Sequence, residues 1–109
     1  MAERRAVRVR PDVPTQVAFV GTDERFGAPL VAFSPFGLSV QTSRAVNKGT
    51  IYRLGIRVGA DYFRAAAAVR TRIPGGFAVE FLSMTPPDRE TLRRLYLRLQ
   101  LAARKAPPS

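Results

Sequence analysis

Apolar residues recur at every second position through most of the chain and change to a three-to-four-residue spacing only near its C-terminus. In TIYRLGIRV (50–58), Tyr52, Leu54, Ile56 and Val58 share one side while Arg53, Gly55 and Arg57 take the other. That is the period of a strand with one buried face. FRAAAAVRTR (63–72) sets Phe63, Ala65, Ala67 and Val69 against Arg64, Arg70 and Arg72. Its alanine run prefers helix when taken alone. The flanking alternation and the Pro74-Gly75-Gly76 turn instead predict a strand entering a hairpin, with FAVEFL (77–82) returning on Phe77, Val79 and Phe81. TQVAFVG (15–21), LVAF (30–33) and LSVQT (38–42) read as further strands, the last two separated by a turn at Ser34-Pro35-Phe36-Gly37. Asn47-Lys48-Gly49 marks another turn.

The final segment, TPPDRETLRRLYLRLQLAARK (85–105), has the signature of a helix. Thr85 is the candidate cap, Pro86 takes the first helical position and Asp88 follows three after the cap. Leu92, Leu95, Tyr96, Leu99, Ala102 and Ala103 form its apolar stripe, with Arg89, Arg93 and Arg104 largely outside it. Leu97 and Leu101 lie off that stripe, as an exposed strip for a partner or a second copy, or as part of a broadly buried helix. The sum is a mainly β chain of roughly six strands and one C-terminal helix. A small antiparallel barrel or curled sheet with the helix laid on it fits that order. It divides into an arginine-rich arm at 1–10, a barrel at 11–84, a helix at 85–105 and a tail at 106–109.

Composition narrows the chemistry. The chain has 109 residues, enough for a single core, and a formal charge of +10 with a pI near 11.5. Such charge favours an anionic partner. Sixteen of its eighteen basic residues are arginine, whose planar fork suits bidentate contacts to phosphate or guanine, although an arginine-rich proteome gives the same count. Cysteine and histidine are absent, which removes disulfides, thiolate chemistry and the commonest general base and metal ligand. The eight acids form no paired constellation, so no enzyme, metal or cofactor is expected. No apolar run is long enough to span a bilayer and none follows the first basic residues. A single cytoplasmic domain without membrane insertion is the expectation.

The arginines Arg53, Arg57, Arg64, Arg70 and Arg72 would face outward as a basic sheet surface. Nucleic acid is one reading of it; a solvated barrel exterior is the stronger, because Tyr52 and Phe63 fall on the inward register and leave no stacking platform.

Two stretches carry more. In ERRAVRVR (3–10), Arg4 and Arg8 make an R-x-x-x-R immediately before the first strand. The same spacing recurs at Arg53/Arg57, Arg89/Arg93 and Arg94/Arg98, so it is the position that distinguishes the first instance. In AFSPFG (32–37), Ser34 and Gly37 occupy a turn between two apolar strands. Together the two stretches resemble the PilZ domain, whose pattern is R-x-x-x-R before the first strand and then D/N-x-S-x-x-G. The later strands, the Gly-Gly hairpin leading to FAVEFLSM and the helix after Pro-Pro-Asp extend the likeness over nearly the whole chain.

The resemblance implies a six-stranded antiparallel barrel with a C-terminal helix. It also implies a receptor for the bacterial second messenger cyclic di-GMP, often bound as a stacked dimer on the outer surface. Arg4 and Arg8 would clamp phosphate and guanine, Arg5 would add a contact, Ser34 would offer its hydroxyl and Gly37 would allow close backbone approach. Ligand would order the arm, and a partner protein would read the changed surface. One position departs from the pattern: Ala32 stands where the family has an acid or amide. A lost hydrogen bond of that kind costs on the order of 1 kcal/mol. The alternative is a degenerate member that has lost the nucleotide and acts as a protein-interaction adaptor.

Overall fold

The computed structural model describes residues 7–105, with side chains through residue 103. Six strands, β1 (Gln16–Val20), β2 (Arg25–Ser34), β3 (Gly37–Gln41), β4 (Ile51–Val58), β5 (Asp61–Ile73) and β6 (Gly76–Ser83), precede one helix, α1 (Pro86–Lys105). They close into an antiparallel barrel in the order β1-β2-β3-β6-β5-β4, with β4 returning to β1 through pairs such as Phe19↔Leu54. This is the mainly β fold expected from the alternation.

The inward register carries the bulk. Tyr52, Leu54, Ile56 and Val58 on β4 and Phe63, Ala65, Ala67 and Val69 on β5 are all buried, as the period-two pattern requires. The alanine run therefore extends a strand. Its pairs Leu54↔Ala65 and Tyr52↔Ala67 set small residues opposite large ones, which fills the interior without overcrowding it. Bulges at Val31 on β2, Arg70 on β5 and Leu82 on β6 break the alternation locally and add the curvature a six-stranded closure needs. β2 begins five residues earlier than the LVAF pattern predicts. Its first half pairs with β1 (Val20↔Arg25, Gln16↔Pro29) and its second half with β3, so one strand serves two neighbours in turn.

The helix cap forms as the sequence predicts. The Asp88 amide donates to Thr85 Oγ1 (3.3 Å), and the Thr85 hydroxyl donates to Asp88 Oδ2 (2.7 Å). The other Asp88 oxygen accepts from the Arg64 amide on β5 (3.2 Å), which pins the start of α1 to the barrel. Leu92, Leu95, Tyr96 and Leu99 enter the core, and Tyr96 meets Phe33 edge to face at 6.3 Å. The stripe stops there: Ala102 and Ala103 are exposed, a correction to the expected stripe, because the last turns of α1 run beyond the barrel core. Leu97 and Leu101 are exposed as well.

A second aromatic group forms where β1, β2, β4 and β6 converge. Phe19 stacks on Phe26 at 4.8 Å, and Tyr52 and Phe77 meet Phe19 edge-on at 5.5 and 5.4 Å. Arg44, in the loop after β3, lays its guanidinium 4.3 Å over Phe26 and pairs with Glu24 at 2.6 Å. Tyr52 donates its hydroxyl to the other Glu24 oxygen at 2.8 Å. The Arg44 bond, then the Tyr52 bond, hold the Glu24 carboxyl below the usual carboxylate range. Burial, then the bond to Glu24, push the Tyr52 hydroxyl up to about 12.

A pKa raised in the folded state means that the native protein holds this proton more tightly than the unfolded chain does. The resulting stability is complete below the unfolded tyrosine value and disappears as pH climbs through the folded one. Thermal melts at about pH 9 and about pH 11.5 should therefore show a steeper alkaline loss for the wild type than for Tyr52→Phe. Equal slopes would mean that Tyr52 does not carry this dependence.

Candidate functional site

Of the expected site residues, the described ones are Arg8, in the segment in front of β1, and Ser34 and Gly37, on the β2–β3 hairpin. Phe33 on β2 and Leu38 on β3 are paired and point into the core. Their alternation puts Ala32, Ser34, Gly37 and Ser39 on the outer side, where Ala32 pairs with Ser39 and Ser34 with Gly37. On β6, Ala78 continues the row from Ser39, and Glu80 the row from Gly37. Ser34 and Ser39 are only 7% and 5% exposed, so these short side chains lie low on the outer side as a largely covered floor.

One backbone contact aligns the arm with this floor. Val9 and Phe33 donate to each other's carbonyls, both at 2.8 Å, as an isolated antiparallel bridge. Val9 is 5% exposed and belongs to the core, so the end of the arm is built into the barrel. Arg8 and Arg10, on either side of it, are exposed. The bridge is isolated, so the register holds at this one pair; Arg8 precedes it on the Ser34 side and Arg10 follows it on the Ala32 side. The Val7 carbonyl just before them accepts a short hydrogen bond from the Tyr96 hydroxyl of α1. Arg4 and Arg5 lie outside the described residues.

Ser34 and Gly37 also have work inside the fold. Ser34 Oγ accepts from the Phe36 amide at 3.1 Å and so shapes the turn, which leaves the hydroxyl proton free to donate. A Cβ at Gly37 would lie 2.1 Å from the Val79 carbonyl oxygen, so glycine here is what lets β3 approach β6. Gly76, at the other end of the same pairing, is constrained in the same way, at 1.9 Å from the Val40 carbonyl oxygen.

Beyond the floor, a groove of about 590 Å³ runs past Arg10, Asp12, Val31, Gln41 and Gly75. A separate one of about 600 Å³ lies at the start of α1 beside Arg53, Arg64 and Asp88. Among the described residues no group of His, Cys, Asp and Glu could hold a metal ion, and no helix is long and apolar enough to cross a membrane.

The comparison that decides the family covers most of the chain: the PilZ domain model matches residues 2–98. The chain belongs to the PilZ domain family. Among solved structures, the fold is similar to the PilZ domain with c-di-GMP of YcgR from Escherichia coli, with a TM-score of 0.75 and 16% identity over 95% of this chain and 96% of that one. It is similar to the Bacillus subtilis inhibitor of motility MotI/DgrA, with a TM-score of 0.74 and 21% identity over 94% of this chain and 53% of that one. It is also similar to K. pneumonia MrkH in its apo state, with a TM-score of 0.77 and 13% identity over 96% and 55%. The chain thus spans the isolated YcgR domain but about half the length of the other two. At these identities the likeness is one of fold. A comparison with curated proteins gave no match.

Arg10, Ser39 and Gln41 border the same face and are not picked out by the PilZ motifs. The alternation Val7-Arg8-Val9-Arg10 is the signal that could have found the first, since it marks the arm as a strand edge with an inner Val9.

The two motif residues on the hairpin should separate in stability. Gly37→Ala is expected to cost about 1–3 kcal/mol or more by forcing β3 from β6. Ser34→Ala should cost about 0.5–1.5 kcal/mol, one turn hydrogen bond. Urea denaturation of both variants measures the order; a neutral Gly37→Ala would contradict the close approach.

Proposed function

We propose that this PilZ domain is a regulatory receptor for cyclic di-GMP. The observation that supports the reading is the Val9–Phe33 bridge, which leaves the exposed Arg8 on the Ser34 side of the outer floor. The Arg8 guanidinium has donors for a phosphate or for the acceptor edge of guanine, and it lies where a flat ligand resting on Ala32, Ser34, Ser39 and Ala78 would end. Ser34 contributes its free hydroxyl proton. Gly37 keeps the floor level at the hairpin end. Arg4 and Arg5, which precede the described residues, belong to the same proposal as further cations of the motif. The chain's charge of +10 raises the local concentration of an anionic nucleotide and speeds its capture.

The output follows from what the arm touches. Val7 accepts from Tyr96, and Asp12 pairs with Arg98 at 3.5 Å, so both ends of the 7–12 segment rest on α1. Ligand bound at the floor would bear on that segment and through it on the helix, whose exposed Leu97 and Leu101 give a partner protein an apolar surface to read. The similarity in fold to the PilZ domain with c-di-GMP of YcgR supports the choice of ligand.

Titration calorimetry of cyclic di-GMP into the purified protein tests the reading, with GMP as the control ligand. Micromolar or tighter binding is expected, weakened about tenfold or more in Arg8→Ala through loss of a charge-assisted contact. Absence of heat and of any thermal shift with the wild type would overturn it in favour of an adaptor that keeps the fold without the nucleotide.

A further inference from the structure

Ala32 leaves β2 without a polar side chain at its row of the outer face, and the arm supplies one from the side. Val9 and Phe33 exchange both backbone bonds, which makes them a hydrogen-bonded pair. The bridge is isolated, and the next contact with β2 is the Leu30 amide donating to the Thr15 carbonyl. Arg10 is the first residue past the bridge, on the Ala32 side of it. It is exposed, and its guanidinium has no hydrogen-bond or ion-pair partner among the described residues. The nearest acid in sequence, Asp12, is turned to Arg98 of α1 instead. Arg10 borders the 590 Å³ groove with Val31, Gln41 and Gly75, and a second one of about 490 Å³ with Arg8, Leu99 and Gln100, so it has open space around it.

We infer that Arg10 is a specificity-determining residue that reads the base of the bound cyclic dinucleotide on its O6/N7 edge. This rests on the cyclic di-GMP reading of the same face. The chemistry is set by what a guanidinium carries: five N–H donors and no acceptor. Guanine offers it two adjacent acceptors, O6 and N7, in bidentate geometry. Adenine keeps N7 but presents an amino donor in place of O6, so the fork meets a donor and loses half its contact. A carboxylate at residue 32 would do the reverse and accept from the guanine N1–H and 2-amino groups. Ala32 cannot. The site therefore selects for a 6-oxopurine and has little regard for the 2-amino group, and hypoxanthine satisfies Arg10 as well as guanine does.

The experiment titrates cyclic di-GMP, cyclic di-IMP and cyclic di-AMP into the wild type and Arg10→Ala, with Arg8→Ala alongside and thermal melts to verify that each variant folds. The wild type should bind the guanine and hypoxanthine ligands within about threefold of each other, and the adenine ligand at least about tenfold more weakly. Arg10→Ala should weaken both oxopurine ligands about tenfold or more and narrow the gap to the adenine ligand. If Arg10→Ala binds cyclic di-GMP like the wild type while Arg8→Ala does not, the role of Arg10 is overturned and the receptor reading stands. If the wild type binds cyclic di-IMP more than about tenfold more weakly than cyclic di-GMP, the base is read through its 2-amino group and the edge assignment falls. If the wild type binds none of the three, the receptor reading fails and takes this inference with it.

Discussion

The pairing of Val9 with Phe33 joins three parts of the molecule at one point. Its two backbone bonds fix the register of the arm against β2, and the Val9 side chain enters the barrel core. On the far side of Phe33, the Tyr96 ring ties the same spot to α1. Because side chains alternate across an extended backbone, burying Val9 forces Arg8 and Arg10 outward, on the Ser34 and Ala32 sides of the bridge. The cationic edge of the candidate site is thus a consequence of core packing. A one-residue slip of the arm would bury arginine and expose valine, which the core opposes at the full cost of desolvating a charge.

The barrel divides its labour between faces. Large side chains, including Phe19, Phe33, Tyr52, Phe63 and Phe77, fill the interior. The outer rows across β2, β3 and β6 carry Ala32, Ser34, Gly37, Ser39 and Ala78, which leave a floor low enough for a flat ligand. Gly37 and Gly76 serve the fold first, since a Cβ at either would strike a backbone carbonyl across the β3–β6 pairing. A glycine required by strand pairing and a glycine suited to a ligand are then the same residue, and selection for either keeps it. The other arginines, Arg53, Arg57, Arg64, Arg70 and Arg72, are exposed on the exterior as the alternation predicts, and two of them are engaged with neighbours: Arg57 over the Tyr62 ring at 5.0 Å and Arg70 with Glu80.

Much of the fold was legible because period-two alternation is a strong constraint in a closed barrel. Every inward residue named on β4 and β5 is buried, and the Thr85–Asp88 cap formed as read. What escaped notice has physical reasons. The start of β2 contains Gly27 and Pro29, residues that weaken a strand pattern but are tolerated where the strand changes partners. The Glu24–Arg44–Tyr52 group unites residues that are 20 and 28 positions apart, and no local spacing encodes it. Ala102 and Ala103 satisfy helical periodicity, yet the pattern cannot tell how far the barrel reaches beneath the helix. At the candidate site, Ser34 and Gly37 were visible through the PilZ motif. Arg10 became visible only with the register, because its meaning depends on which residue lies across from Val9.

In the proposed receptor, ligand lies on the floor between the arm and the β2–β3–β6 rows, with the arm tied to α1. Amide chemical shifts of the isotope-labelled protein, followed as cyclic di-GMP is added, test this most directly. The account predicts changes concentrated at residues 7–10, 32–39 and 76–80, with a smaller response around Tyr96 through its bond to Val7. Changes confined to the groove at the start of α1, around Arg53, Arg64 and Asp88, would contradict it and place the ligand on the opposite set of arginines.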